Sequence, residues 1–220
     1  MHEHAGKNYA DKFVDQHGWV LSENNVSTLA NKPQVTQNSK EELTFYSGGA
    51  KGSDTYWGNA ANRIGGKTIH YRPADYDNLS KEDKDRIEKE YYEVINYLGK
   101  YPSKATGYVG KLLRRDFLQV DNASAVFAVG HLDNKGLVAG GTGYATTRGI
   151  IRGIPVHLYN QETKSWMIWD ANQKKFVNES QPTLVNNAAL IGTTELNADG
   201  QKAIDDVINA YQEAINDKGT

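Results

Sequence analysis

The sequence contains no cysteine among its 220 residues. Disulfide bonds, thiolate-bound metals and a cysteine nucleophile are therefore excluded. The sequence also lacks an apolar run long enough to span a membrane, and residues 1–4 (MHEH) do not lead into the apolar core of a signal peptide. We therefore expect a protein without membrane contact, located in the cytoplasm of the cell that makes it or of a host cell that it enters.

An excess of charge of either sign is also missing. Lysine and arginine number 25 against 27 aspartates and glutamates, which gives a net charge of -2. A general nucleic-acid-binding surface requires a basic excess, so this class is disfavoured, although one pocket can still be locally positive. With 38% hydrophobic residues, the chain is long enough for one buried core, alone or with a small appendage.

The chain divides into a polar N-terminal arm and a regularly patterned remainder. Residues 1–40 are rich in Asn, Gln and Ser, whereas residues 41–220 alternate apolar runs with glycine turns and amphipathic stretches. We predict that residues 41–220 form one Rossmann-like nucleotide-binding domain. Three histidines of the arm lack supporting carboxylates at fixed spacing, so we predict no metal site; they are His2, His4 and His17.

Strand and helix signals alternate along residues 41–220. The run 123–129 (ASAVFAV) has no polar alternation, which is typical of a strand buried on both faces at the centre of a parallel sheet. Two short runs around Asn172 favour a small β-hairpin near residues 165–178. The predicted fold class is α/β, with a Rossmann-like, mostly parallel sheet flanked by helices. We predict further strands at 43–46, 67–71, 154–159 and 188–191. We predict helices at 53–64, after Ser80, at 106–121, from the glycines at 140–143 to about residue 152, and after residues 197–200.

The first of two glycine-rich loops connects the strand at 43–46 to the helix at 53–64. Its glycines allow a tight turn and close approach of a ligand, and free N–H groups at the helix start attract phosphate oxygens. Lys51 adds a charge, Ser53 a hydroxyl donor, and Asp54 either caps the helix or accepts a hydrogen bond from a ribose hydroxyl. The alternative is a turn without a ligand. The candidate binding residues are Ser47, Gly48, Gly49, Lys51, Ser53 and Asp54.

The second loop spans residues 139–147 (AGGTGYATT) and also opens a helix. Three glycines in four positions again let phosphate oxygens approach free amides, and a capped helix without a ligand is again the alternative. Ligands of open α/β sheets bind at the carboxyl ends of the strands, where both loops should lie. The candidate binding residues of this loop are Gly140, Gly141, Thr142 and Gly143.

At these two loops the chain resembles the SLOG superfamily, which joins the Lonely Guy enzymes, the DprA-like proteins and nucleotide-sensing domains. The resemblance covers about residues 43–215. Residues 139–147 align with the Lonely Guy motif P-G-G-x-G-T-x-x-E, and Arg115 falls where the family has an arginine on the preceding helix, with Arg114 adjacent as a substitute. The resemblance implies that the glycines and Arg115 bind phosphate.

Three positions depart from that motif. Ala139 stands for its proline, Tyr144 for its threonine and Thr147 for its glutamate. The family enzymes use the glutamate to cleave the N-glycosidic bond of nucleoside monophosphates, and Thr147 cannot serve as a carboxylate. The same mechanism is therefore disfavoured, with Asp54 and Asp116 as candidate replacements if the chain is an enzyme.

Aromatic residues beside the loops are candidates for stacking on a base. Trp57 lies early in the helix after the first loop, and Tyr144 follows the second loop. Each can instead pack in the core, as aromatic residues on helices usually do. Arg148, one turn after the second loop, reaches either the ligand or the surface.

These features predict a protein that binds a nucleotide or a nucleotide-derived second messenger, of the cyclic nucleotide or cyclic ADP-ribose type that the resemblance implies. It would sense or sequester that ligand, and a phage anti-defence sponge is one form of the second role, consistent with the lost glutamate. The alternative is an N-glycosidic hydrolase: a nucleoside-monophosphate phosphoribohydrolase or an ADP-ribose-processing enzyme. A DprA-type DNA module is disfavoured by the charge balance. We expect no cofactor, and the resemblance implies a homo-oligomer.

Overall fold

A computed structural model describes residues 42–101 and 105–217 of the protein. They form an α/β fold in which a seven-stranded, mostly parallel sheet is flanked by helices, as the sequence predicts. No helix in these two ranges combines the length and the apolarity that a membrane span requires. The predicted arm of residues 1–40, with its three histidines, lies outside the described residues.

Strands and helices follow one another in the order that the sequence indicates. The strands are β1 (Thr44–Ser47), β2 (Lys67–His70), β3 (Ala125–Gly130), β4 (Val156–Asn160), β5 (Ser165–Asp170), β6 (Lys175–Asn178) and β7 (Ala188–Gly192). The helices are α1 (Ser53–Arg63), α2 (Pro73–Asp77), α3 (Lys81–Tyr97), α4 (Gly107–Asp121), α5 (Thr142–Arg152) and α6 (Ala198–Asp217). The sequence does not predict the short α2, because Pro73 both stops the preceding strand and supplies the fixed φ that begins a helix.

The sheet has the strand order β2-β1-β7-β3-β4-β5-β6. The first five strands in this order pair in parallel, and β5 and β6 add the predicted hairpin in antiparallel pairing. Strand β3 lies between β7 and β4, and all six of its residues are buried. Its burial on both faces confirms the interpretation of the unbroken apolar run.

Alternate residues of β3 supply the core on the two faces of the sheet. Phe127 belongs to one apolar cluster, where Trp57 of α1 meets it edge to face with ring centroids 6.5 Å apart. Val126 points to the other face and packs in the cluster that contains Ala145 of α5. The two glycine loops are therefore anchored by helices on opposite faces of one sheet.

The strand order also decides where the loops meet. Strand β7 lies between β1 and β3, which carry the two glycine loops at their carboxyl ends. Because these strands are parallel, the segment that follows β7 emerges between the two loops at the same edge of the sheet. Local sequence patterns do not encode strand order, so this third segment was not among the predicted site residues.

Candidate functional site

The two glycine loops meet at one cavity at the carboxyl edge of the sheet. The cavity has a volume of ≈ 360 Å³, and its wall includes Ala50 and Asp54 from one loop and residues 139–142 from the other. Helix α4, Gly130 and His131 at the end of β3, and residues 192–194 at the end of β7 also contribute to the wall. Much of the surface between them is apolar and comes from Val109, Leu112, Leu113, Ala145 and Ile191.

The second loop presents unpaired amides at the start of α5. None of the described residues accepts a hydrogen bond from the N–H groups of residues 140–143. The positive end of the helix dipole lies at the same point, so an anion is favoured there. Packing requires glycine at Gly143, where a Cβ atom would lie 2.0 Å from the Val138 carbonyl oxygen. At Gly141 the nearest atom to a Cβ would be Leu113 Cδ2 at 3.9 Å, so this position has room for a side chain.

The first loop is closed by Asp54 rather than left open for a ligand. The Asp54 carboxylate accepts hydrogen bonds from the amides of Gly192 at 3.0 Å and Ala50 at 3.4 Å. The amide and the hydroxyl of Ser53 both donate to the Thr193 carbonyl oxygen, at 3.0 and 2.8 Å. The predicted role of Ser53 as a phosphate donor is therefore not supported, because the Thr193 carbonyl oxygen accepts both of its hydrogen bonds.

The other predicted residues of the first loop differ in their exposure. Ser47 is fully buried, with its hydroxyl 3.5 Å from the Asp54 carbonyl oxygen, so it too serves the loop itself. Lys51 is exposed and lies outside the cavity wall, which does not support its predicted role. Gly49 has φ 62 and is also exposed. Gly48 is the loop residue that touches a predicted binding side chain, that of Arg115.

Arg115 projects from α4 into the wall of the cavity. Its side chain is 6% exposed, and Nη1 lies 3.4 Å from Asp116 Oδ1. The Nε and Nη1 atoms are nevertheless buried without a hydrogen-bond partner among the described residues. The guanidinium packs directly against Gly48, where a Cβ atom would lie 1.4 Å from Nη1. Unsatisfied donors on a buried charge are costly, and an acceptor on a ligand would satisfy them.

Arg114, the adjacent alternative, is held by the protein itself. It forms an ion pair with Glu88, and its Nη1 donates to the carbonyl oxygens of Gly110 at 2.9 Å and Ala105 at 3.2 Å. Its guanidinium also lies over the Tyr91 ring, 4.2 Å from the centroid. Arg114 therefore joins α3 to α4, and Arg115 is the arginine that faces the cavity.

Neither predicted aromatic residue is able to stack on a base. Trp57 is fully buried in the core between α1 and the sheet. Tyr144 is 8% exposed and stacks on Tyr91, with ring centroids 5.9 Å apart and an interplanar angle of 13°. Both rings therefore follow the packing alternative, and their burial does not support a role in covering a base.

Two α5 residues after the loop are also turned inward. Thr147, at the position of the family's glutamate, is 1% exposed and does not line the cavity. Arg148 forms ion pairs with Glu90 at 2.8 Å and Asp121 at 2.9 Å, so it reaches neither ligand nor open surface. The cavity therefore has no carboxylate where the Lonely Guy motif places one.

Two other carboxyl groups line the cavity with raised pKa values. Burial raises the pKa of Asp54 to about 6, against the opposing charge of Arg115 and the hydrogen bonds from backbone amides. Burial likewise raises the pKa of Asp116 to about 7, while Arg115 opposes and the charge of Asp54 adds to the increase. Both groups thus titrate near neutral pH, where general acids and bases are effective.

We expect the Asp116 carboxyl group to make the protein less stable as the pH rises from about 4 to 7. Over this range the group is largely protonated in the folded protein and ionised in the unfolded chain, so folding takes up a proton. One such group lowers the free energy of unfolding by at most about 1.4 kcal/mol per pH unit. Urea unfolding across this range should show the wild type losing stability relative to Asp116→Asn.

Asp170→Asn is the matched control for this pH dependence. Hydrogen bonds from Gln173 hold the pKa of Asp170 below its usual value of 3.8. Its effect on stability is therefore lost only as the pH falls through that lower pKa, below the range of interest. A difference between the wild type and Asp116→Asn that stays constant from about pH 4 to 7 would contradict the assignment.

Sequence reasoning missed two contributors to the cavity. Residues 192–194 (GTT) directly follow a short apolar strand, which is the same signal that identified the other loops. No comparable signal marks Leu112 or Gln119, which line the cavity through the orientation of α4. A glycine-threonine run after a predicted strand therefore indicates a segment that lines the site. The side chains that a helix contributes from its flank leave no such signal in the sequence.

The cavity combines a buried cation, unpaired amides and apolar surface. Arg115 and the amides of residues 140–143 are suited to one anionic group, and Leu112 and Ile191 to an apolar body beside it. Within residues 42–101 and 105–217, no three His, Asp or Glu side chains are grouped to hold a metal ion. The fold is that of a Rossmann-like α/β protein, and its cavity presents a buried guanidinium and unpaired amides at the carboxyl edge of the sheet.

Comparisons with models of protein families, with curated proteins and with solved structures give no significant match to this chain. The resemblance to the SLOG superfamily therefore stays a prediction based on the two loops and Arg115. A proposal about function consequently has to rest on the fold and on the chemistry of the cavity.

Proposed function

We propose that the protein binds a nucleotide-type ligand through a phosphate group in this cavity and acts by sensing or sequestering it. The observation that carries the proposal is the buried Arg115 guanidinium, whose Nε and Nη1 atoms have no hydrogen-bond partner among the described residues. It lines the same cavity as the start of α5. Together with the unpaired amides of residues 140–143 it offers donors to several oxygens at once. A phosphate is the common biological anion that accepts such a set.

The size and lining of the cavity support a nucleotide rather than inorganic phosphate. Its volume of ≈ 360 Å³ lies within the range of small-molecule sites, about 300–1,000 Å³. Apolar side chains such as Leu112, Leu113 and Ile191 would contact a ribose or base, which inorganic phosphate lacks. The charged groups thus suit the phosphate and the apolar wall suits the remainder of the ligand.

Hydrolysis is the second candidate function, and it is favoured by the two carboxyl groups with raised pKa values. In this reaction water adds across the N-glycosidic bond of a nucleoside monophosphate, and free base and ribose 5-phosphate leave. Asp116, with its pKa of about 7, would exchange a proton with the water or the base. Binding without turnover ranks first because Asp54, the other carboxyl group, already accepts hydrogen bonds from the backbone amides of Ala50 and Gly192.

One experiment separates the two functions. The full chain is incubated with nucleoside monophosphates, cyclic dinucleotides and cyclic ADP-ribose isomers, the protein is isolated, and its ligand is analysed by chromatography after heat denaturation. Recovery of the intact ligand supports binding. Accumulation of free base and ribose phosphate beyond one equivalent supports hydrolysis, and no retention or turnover of any compound rejects both.

Gly141→Asp and Gly141→Ala form a matched pair for the site. We expect Gly141→Asp to weaken nucleoside-monophosphate binding at least tenfold, on the order of 1.4 kcal/mol, because a carboxylate is placed beside the amides meant for the phosphate. Gly141→Ala adds only a methyl group, 3.9 Å from Leu113 Cδ2, and should bind like the wild type. Calorimetric titration measures both. Equal affinities for the two variants would reject the site.

Two accompanying expectations stay predictions: cytoplasmic location and assembly into a dimer or higher homo-oligomer. Light scattering on the purified full chain, with and without a bound nucleotide, measures the second. A monomer under both conditions would contradict it.

A further inference from the structure

A second cavity adjoins the first at Arg115. It has a volume of ≈ 510 Å³, and three residues, Ala50, Leu112 and Arg115, line both cavities. The rest of its wall comes from the first glycine loop, α1, the end of β2 and the starts of α2 and α4. It includes His70, Arg72 and Tyr108. Arg115, the buried side chain with unbonded donors, therefore borders two spaces, each large enough for a small ligand.

The second cavity is electropositive. Arg72 and His70 line it together with Arg115, and its wall contains no aspartate or glutamate. Partial burial, and then the charges of Arg72 and Arg115, hold the pKa of His70 below its usual value. No carboxylate among the described residues forms an ion pair with Arg72.

An exposed aromatic ring stands at the same cavity. Tyr108, in the first turn of α4, is 69% exposed and belongs to the wall. It is the one Phe, Tyr or Trp among the described residues that line the two cavities. A nucleotide base can stack on such an exposed ring. The role that the sequence assigns to Trp57 or Tyr144 is thus available to Tyr108.

We propose, building on the proposed function, that the ligand is a dinucleotide that occupies both cavities. One nucleotide places its phosphate between Arg115 and the amides of residues 140–143. The linkage passes Arg115, and the second nucleotide lies in the second cavity, with an anionic oxygen facing Arg72 and its base on Tyr108. A mononucleotide fills only the first cavity and leaves the second cationic group and the ring unused.

The test compares mononucleotides with dinucleotides on the full chain. Calorimetry is run with the four nucleoside 5′-monophosphates, with pyrophosphate-linked dinucleotides and with 3′,3′-cyclic dinucleotides of the same bases. We expect at least one dinucleotide class to bind ten times more tightly than the matching monophosphate, about 1.4 kcal/mol. The two dinucleotide classes distinguish a pyrophosphate from a phosphodiester linkage.

Variants in the second cavity locate the extra affinity. Arg72→Ala and Tyr108→Ala should each lower dinucleotide affinity about tenfold and change monophosphate affinity less than twofold. Lys89→Ala and Tyr101→Ala are matched controls, because both residues are exposed and line neither cavity. They should leave both affinities unchanged.

The outcomes separate this inference from the proposed function. Monophosphates that bind as tightly as dinucleotides, or variants that weaken binding no more than their controls, would overturn the dinucleotide assignment and leave the phosphate site intact. Monophosphate binding that survives Gly141→Asp would instead overturn the phosphate site. Failure of every probe to bind would overturn both.

Discussion

Replacing Arg115 with methionine should weaken nucleoside-monophosphate binding by about 100-fold or more and leave the protein at least as stable as the wild type near pH 5.5. Loss of a buried charged donor to a ligand costs about 2–5 kcal/mol, and about 1.4 kcal/mol is a factor of ten. Folding loses little near pH 5.5, because Nε and Nη1 of Arg115 have no hydrogen-bond partner among the described residues and the Asp116 carboxyl group beside Nη1 is then mostly protonated. Exchange of a buried charge for an apolar side chain of similar length is often neutral or stabilising.

The pH sets the sign of the stability change. Near pH 5.5 the carboxyl groups of Asp54 and Asp116 are mostly protonated, since their pKa values are about 6 and about 7. Removal of the Arg115 charge therefore leaves little buried negative charge without a nearby cation. Above pH 7 both carboxylates lose their nearby cation, so the variant should become less stable than the wild type. Urea unfolding near pH 5.5 and near pH 8 measures this reversal, and calorimetry measures the affinity.

Arg114→Met is the matched control, with the same substitution one residue away. Arg114 is bonded to Glu88 and to two backbone carbonyl oxygens, so its loss should lower the free energy of unfolding by about 3 kcal/mol. The folded fraction should still bind the monophosphate, because Arg114 does not line the cavity. If Arg114→Met abolished binding while Arg115→Met retained it, the two arginines would have been assigned in the wrong order.

Apart from the short α2, the elements of the fold were predictable because each leaves a local signal. The apolar run that became β3, the hydroxyl of Ser80 that accepts a hydrogen bond from the Asp83 amide at 3.0 Å, and the glycine turns after two strands are all properties of short segments. The position of β7 between β1 and β3 is not local, since it depends on which strands pair across long stretches of chain. It brings residues 192–194 into the site, and sequence patterns do not indicate it.

Tertiary packing also explains why the sequence does not predict the roles of several residues near the site. Asp54 looks from the sequence like a helix cap or a ligand contact, but its main partner is the Gly192 amide, which lies far along the chain. Trp57 and Tyr144 lie next to the glycine loops in sequence and yet face the core. Tyr108 is distant from both loops in sequence, and only the packing of α4 brings it to the second cavity. Residue type predicts what a side chain can do, and tertiary packing decides where it is used.

Gly48→Ala should weaken monophosphate binding about 100-fold without removing any charge. A Cβ atom at this position would lie 1.4 Å from Arg115 Nη1 and 2.3 Å from Cζ, so the guanidinium has to leave its place. The fold should persist, because the atoms that move are the end of a flexible side chain and Gly48 does not have a positive φ. We expect the free energy of unfolding, measured in urea, to change by less than about 1 kcal/mol, while calorimetry shows the loss of affinity.

A double-mutant cycle decides whether Gly48→Ala acts through Arg115. If the methyl group weakens binding by displacing the guanidinium, it has no further effect once Arg115 is methionine, and the double variant should bind no more weakly than Arg115→Met alone. Gly141→Ala, the control on the other loop, adds a methyl group at ordinary van der Waals distance from Leu113 Cδ2, 3.9 Å, and should lose nothing in either background. Additive losses from Gly48→Ala and Arg115→Met would show that the glycine contacts the ligand by itself. The close approach of Gly48 and Arg115 would then be a matter of packing alone.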